Sequence, residues 1–302
     1  MNERFHDGLE QGELQALSQR TDAAAAVRAG VQLALLGGSA AVILLASDAL
    51  PWWTAFLVQV LLQFAMFGML HETVHGTAFA SPRANAVCRW LAAIWQFAPP
   101  AWMRAFHFQH HRHTHELALD PELSRMPSMV RWPRGVLWLA NASGLPILFG
   151  RVAFTLVAAT GIPALYRRVL PYVADAARPA VARDARVLLC VHAAIVAIAI
   201  GLAPAVAWLY VAALAAHAIL SLYIACEHRG LPEQGDVLQR TRSLRAGRLL
   251  RFLLWNMPWH AEHHAYPSVP FHALPALHEL LRPRLVHSGR SVLDLHLHPH
   301  PH

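Results

Sequence analysis

The 302 residues contain no lysine, so all 25 basic residues are arginine. That absence excludes a lysine Schiff base and a phosphate-binding loop built on its lysine. Cysteine is scarce too: Cys88, Cys190 and Cys226 are scattered, with no CxxC pair. Such spacing supports neither a disulfide framework nor an iron–sulfur cluster, and suits three small apolar packing residues. Charged residues are only 14% of the chain against 56% hydrophobic, and the mean hydropathy is +0.33. A soluble globular domain is not built from that mixture, whereas a membrane protein is. The opening MNERFHDGLEQGELQ is polar and acidic, unlike a secretory signal, and no cleaved targeting segment is expected.

Long apolar runs supply what the charge lacks. The stretches 29–46 and 52–70 flank the short turn Ser47-Asp48-Ala49-Leu50-Pro51, and 187–203 and 205–225 flank Pro204. The run from Trp52 to Leu70 holds 19 uncharged residues, which as a helix is about 28 Å long and matches a hydrocarbon layer of about 30 Å. The expected fold is therefore an all-α integral membrane protein of two transmembrane hairpins, four spanning helices in all, with interfacial helices and a histidine-bearing cap. An arm over 1–28 precedes this membrane domain, 29–285, and a His-rich flexible tail, 286–302, follows it.

The net charge of +7 belongs to arginines beside apolar spans, so lipid headgroups rather than nucleic acid are the expected partner. Neither tight turn bears an arginine, which assigns the arm, the middle segment and the C-terminal part to the cytoplasm. Between 136 and 166 the apolar pattern is broken by Asn141, Gly144, Pro146, Gly150, Gly161 and Pro163, as expected of short interfacial helices. Trp132, Trp138, Arg151 and Arg167 suit a headgroup layer, and the mixed run Arg240 to Leu254 is expected against the membrane.

Three histidine clusters remain: HETVH at 71–75, HFQHH at 107–111 and HAEHH at 260–264. Residues three and four apart share a helix face, so His71 and His75, then His107, His110 and His111, then His260, His263 and His264 present their rings in common directions. Pro99-Pro100 and Asp120-Pro121 bracket a helix for the second cluster, and Pro258 opens one for the third. A lone histidine beside an apolar helix is ordinarily a packing residue. Eight imidazoles in three clusters at span ends on one predicted side are instead a metal site. Eight neutral nitrogens without a thiolate exceed the needs of one tetrahedral zinc and suit two ions of a borderline metal such as iron. Uncharged ligands keep such a pair electrophilic, which points to oxygen chemistry rather than hydrolysis.

On these residues, at comparable separations between helical hairpins, the chain resembles the membrane fatty acid desaturase superfamily over about residues 60–280. The stretches HETVHG, HHRHTHELALDPEL and NMPWHAEHHAYPSVPFHALPALH are most similar to bacterial members, including rhizobitoxine-desaturase-like and carotenoid-ketolase-like branches. The resemblance implies two irons, O2 as co-substrate and a ninth histidine ligand after the last span, where Cys226-Glu227-His228-Arg229 provides His228. His217 lies 11 residues earlier, about 16 Å deeper on one helix, out of reach of a surface site. His217 and His192 are read as membrane-buried polar contacts.

The resemblance further implies removal of two hydrogens from a lipid or acyl chain, with a C=C bond as product. Hydroxylation or ketone formation on a carotenoid or other lipid is the alternative with the same metals. The chain has no haem, flavin or iron–sulfur motif, so electrons are expected from an external ferredoxin- or cytochrome-type donor. Its arginines can dock an acidic one. A histidine-rich metal transporter is the rival class, but its ligands would lie near mid-membrane rather than at span ends. Glu72, Glu227, Glu262, Asp120 and Asn256 are candidates to orient imidazoles. His115, expected one turn beyond His111 on the same face, joins them as a supporting or solvated residue, as does His113, which points away. His296, His298, His300 and His302 lack a scaffold to fix metal geometry.

Overall fold

The structure is a computed structural model that describes residues 9–124 and 136–298. The first eight residues of the arm, Trp132, His300 and His302 lie outside them. The described residues are helical, and four helices are long and apolar enough to cross a membrane. After α1 (Gln11–Leu17), the first hairpin is α2 (Asp22–Leu45) and α3 (Ala49–His75). The second is α7 (Arg178–Gly201) and α8 (Ala207–His228). Between them lie α4 (Pro82–Gln96), α5 (Pro100–Arg112) and α6 (Leu145–Thr160), and after them α9 (His260–Ala265), α10 (Leu274–Leu281) and α11 (Val292–Leu297).

Helix α3 is the centre of the bundle, packed against α2, α4 and α8. Of its apolar window 72% is buried, against 17% for the α7 segment, which leaves α7 facing lipid. The helices run further than the apolar stretches predict. Box one is the last turn of α3, stopped by Gly76 in the left-handed region at φ 73°, and His228 is the last residue of α8. The extensions hold because the histidine face of each terminal turn is buried in the cap rather than solvated.

A feature not anticipated from the sequence is the return of α4 alongside α3. Ser81 caps α4 through Ala84 N with Pro82 in its first turn, and at its far end Gln96 Nε2 donates to Gln63 O at 2.8 Å. Gln63 precedes His71 by eight residues, about 12 Å along α3. Pro99-Pro100 then reverse the chain, and α5 brings box two back to box one. The stretch from 82 to 96 is too short and too polar to register as a span.

The middle segment is broken as expected, into Val136–Ala142, α6 and Pro163–Val169. Arg151, however, is not in a headgroup layer: it is 8% exposed and bonded to Gln96 in the interior. The run from Arg240 differs over its first part, since Arg240 to Leu244 are buried, whereas Leu249 further along is exposed. Arg242 is held by the carbonyls of Cys226 and Arg229, so packing rather than membrane contact shapes this stretch. Of the tail expected to be flexible, Val292–Leu297 forms α11, whose His296 contacts Leu222 O at 2.9 Å and whose Leu295 is buried. Cys88 and Cys226 are buried, whereas Cys190 is exposed on α7.

Box three is fixed to the bundle by the loop ahead of α9. Trp255 and Asn256 take left-handed φ values of 54° and 60°. The Trp255 indole donates to Gln32 Oε1 at 2.9 Å while Gln32 Nε2 donates to Leu253 O at 2.7 Å, tying the loop to α2. Gly68 makes the approach to α3 possible, since a Cβ there would lie 2.7 Å from the Leu254 carbonyl carbon. Backbone cannot yield as a flexible side chain does, so Gly68→Ala should cost about 1–3 kcal/mol and lower the melting temperature in detergent. Gly38→Ala, with nothing within 4 Å, is the control and should melt no lower than the parent. Equal melting of the two variants would contradict the close contact.

Candidate metal centre

The three boxes and His228 converge from four separate stretches of chain. His71, His75, His107, His111 and His263 form one group with donor atoms within 4.8 Å of one another, and His110, His228, His260 and His264 form a second. The helical repeat decides who goes where. In box two the i and i+4 rings, His107 and His111, enter the first group while the i+3 ring, His110, enters the second. Box three is reversed: His260 and His264 enter the second group and His263 the first. Rings at i and i+4 are 40° apart around a helix, whereas i+3 lies on the other side of i, so one short helix serves two adjacent sites. Rings of His111 and His264 stack at 4.1 Å where the groups adjoin.

The first group has a donor set that protons cannot satisfy. Nε2 of His75 lies 2.7 Å from Nε2 of His107, which lies 3.0 Å from that of His111. His263 Nε2 closes the ring at 3.2 Å from His111 and 3.1 Å from His75. An imidazole nitrogen has either one N–H or one lone pair in the ring plane, so each can form one good hydrogen bond, not two. Bonds of about 2.1 Å from one metal ion, at right angles, would set neighbouring nitrogens about 3 Å apart. His71 lies against this ring, its centroid 4.4 Å from that of His107 and 4.5 Å from that of His263, with no hydrogen bond on either nitrogen. The arrangement fits a cation at the centre.

In the second group the outer nitrogens of His110, His228 and His264 are engaged and the inner ones are left for a ligand role. His110 Nδ1 is 2.8 Å from Asp120 Oδ2, His228 Nδ1 donates to Arg240 O at 2.9 Å, and His264 Nδ1 meets Thr114 Oγ1 at 3.1 Å. A proton on Nδ1 satisfies each contact and turns Nε2 inward, as the carboxylate or carbonyl behind a metal-bound histidine does. Nε2 of His228 and His260 are 2.9 Å apart, and His264 Nε2 has no hydrogen bond. Glu227 Oε1 stands 3.5 Å from His260 Nδ1.

All nine histidines expected as ligands thus come together, and the residues expected to support them divide. Asp120 reaches His110 and also accepts from the backbone N–H of His115 at 2.9 Å. Glu262 faces an imidazole, but that of His278 rather than a box histidine, with Ser243 donating to its other oxygen. Asn256 donates to Phe271 O at 2.8 Å and reaches no box ring. His115 is not one turn beyond His111, because α5 ends at Arg112 and His115 has φ 61°; its Nδ1 donates to Pro232 O at 2.8 Å. His113 contacts Glu116. His217 and His192 stay outside both groups: His217 donates to Ala213 O, and His192 meets the Tyr210 hydroxyl at 3.0 Å while stacked on Phe97.

Sequence reasoning missed Thr114, 150 residues from the His264 it supports, and the Arg240 carbonyl behind His228. Thr114 does carry a local signal, since its hydroxyl reaches back to His110 O as threonines do at helix ends. Also missed was a cavity beside the metal groups. Its apolar wall includes Phe67, Trp102, Phe106 and Met257, and both groups open onto it, through His71 and His107 from the first and His110 and His260 from the second.

An all-helical membrane protein with four apolar helices and a two-part histidine site is the class that fold and site define. Residues 47–295 match the family model described as Fatty acid desaturase, and the chain belongs to that family. It is accordingly a membrane oxidoreductase acting in the family's lipid and acyl-chain setting. No curated protein gives a significant match.

Burial, then the neighbouring imidazoles, push His263 down to about 3 and hold His107, His111, His260 and His264 well below the ordinary value. At His110 burial also opposes the charge, but Asp120, Glu122 and Glu227 outweigh it and raise the group to about 9. The depressed groups are neutral when folded and free to protonate when unfolded. Their contribution to stability is complete above the ordinary value of 6.5 and is lost as the pH falls toward about 3. Metal-stripped protein should therefore melt progressively lower from about pH 6.5 to about pH 5 and recover on return to neutrality. A melting temperature constant across that interval would contradict a buried neutral cluster.

Proposed function

We propose that the chain is an O2-dependent di-iron lipid desaturase, with one iron held by His71, His75, His107, His111 and His263 and the other by His110, His228, His260 and His264. The observation that carries this reading is the apolar cavity onto which imidazoles of both groups open. A hydrocarbon segment bound there lies against both sites at once. When bound, the iron pair would supply reductive activation of O2 and removal of one hydrogen from each of two adjacent carbons. The overall conversion takes a CH2–CH2 unit, O2, two electrons and two protons to a CH=CH unit and two waters.

The protein's own side chains position and protect. Phe67, Trp102, Phe106, Phe154 and Met257 bind the chain by apolar contact and exclude water from the reacting carbons. Asp120, Thr114 and the Arg240 carbonyl hold His110, His264 and His228 in the tautomer that leaves Nε2 for the metal, and loss of such support typically lowers metal affinity or activity about 10- to 100-fold. No lysine or other protein nucleophile is required. Electrons come from an external ferredoxin- or cytochrome-type donor, in keeping with a chain without a haem, flavin or iron–sulfur motif. The arginine-free turns support a placement of the histidines on the cytoplasmic side of the membrane, which in a bacterium is the inner membrane.

Expression in a host, with and without oxygen, followed by mass spectrometry of lipids and pigments, tests the reading. An oxygen-dependent product two mass units lighter is expected. A gain of about sixteen or fourteen units would instead assign hydroxylation or ketone formation to the same site. His71→Ala, His111→Ala and His263→Ala should each abolish product while leaving the protein in the membrane, and His298→Ala should have no effect. Full activity in any of the first three would sink the ligand assignment.

A further inference from the structure

Arg151 is the one arginine in the wall of the substrate cavity, and it is buried to 8% exposure among Ile147, Phe154, Trp102 and Met103. Its surroundings hold it rigidly. Nη1 donates to Gln96 O at 2.9 Å and to Gln96 Oε1 at 2.7 Å, and approaches His217 Nε2 at 3.3 Å. Gln96 is itself anchored on Gln63 O, and His217 gives its Nδ1 proton to Ala213 O, which leaves Nε2 as the acceptor facing Arg151. Gly144 lets α6 lie directly on α8, since a Cβ there would fall 2.3 Å from Ala218 N.

The other side of the guanidinium is different. Nε and Nη2, the pair that grips a carboxylate with two parallel bonds, make no hydrogen bond among the described residues. Arg151 also forms no ion pair there. Glu122, a carboxylate in the same wall that attracts the guanidinium from beyond contact distance, is directed to His110 Nδ1 at 3.6 Å. An arginine stays charged, and a buried charge with no counter-ion in contact is costly in an apolar setting. Within a membrane domain an ionisable group in such a position marks a binding site for the missing partner.

We propose that Arg151 is an anion subsite at the inner end of the substrate cavity, which takes the carboxylate of a chain-like acid inserted carboxyl end first. The inference rests on the reading of that cavity as the substrate site. His217, which Arg151 touches, precedes His228 by 11 residues, about 16 Å along α8. The carboxylate is thus placed on the His217 side of the cavity, and the distance from it to the metals selects which carbons react. A substrate held by a headgroup at the membrane surface would leave this charge unpaired.

The test is binding of hexadecanoate and of methyl hexadecanoate to the full-length, iron-loaded protein in detergent, without reductant, by calorimetry and by melting temperature. Hexadecanoate should bind at least about tenfold tighter than the ester. Arg151→Gln should bring the two within about twofold, and Arg151→Lys, which keeps the charge but not the fork, should fall between. Iron content and gel filtration establish that each variant is folded. If Arg151→Gln does not fold, the parent and Arg151→Lys decide. No preference for the acid in the parent, or an undiminished preference in Arg151→Gln or Arg151→Lys, overturns the proposal; a merely structural Arg151 predicts the first and surface arginines the second. Acid selectivity that depends on Arg151, in a protein that leaves host lipids unchanged, would keep this subsite while removing the desaturase reading.

Discussion

Nine imidazoles drawn into two adjoining groups, with the donors of each within a few ångströms of one another, are the constraint on which the rest of this fold depends. In the first group four Nε2 atoms form a closed ring of contacts that proton placement cannot satisfy, so the polypeptide must supply both a centre for them and the packing to hold them there. The packing is visible at every approach to the site. Box one ends the most buried of the four long helices, box two is brought back by the proline-bounded turn between α4 and α5, and box three is fixed by a loop tied to Gln32. His228 arrives as the terminal residue of α8. Each element alone brings at most three rings; only their convergence makes two sites.

Much of this was legible in the sequence because the information is local. Helical spacing announces His107, His110 and His111, and apolar runs announce the four long helices. The division into five and four was not legible, because it depends on how α5 and α9 are rotated about their own axes. Thr114 behind His264 and the Arg240 carbonyl behind His228 are contacts between distant parts of the chain. The helix end at Arg112, which displaces His115, is marked by neither a glycine nor a proline; a threonine hydroxyl bonds back to His110 O there. Arg151 was misread for a physical reason: an arginine in a broken apolar segment ordinarily snorkels to headgroups, and only Gln63, Gln96 and His217, on three other helices or helix ends, give it an interior place.

The cavity joins these levels. One wall is made of imidazoles from both groups, the sides are aromatic and aliphatic, and a fixed guanidinium stands on the wall toward His217. An apolar segment pressed on the first wall is held by area and shape, while a charge at the other end sets its register. In such a site, affinity and position along the chain are governed by different residues, which is why substitutions at the aromatic wall and at Arg151 should have separable effects.

The central claim is that two adjacent metal sites share boxes two and three. Iron per chain in purified protein, with Mössbauer spectroscopy of the same samples, measures it directly. The account predicts two irons in two distinct environments, and the loss of one environment, that of the second group, when His228 and Asp120 are replaced together. A single iron in the parent, or two irons retained with both environments unchanged in that variant, would contradict it.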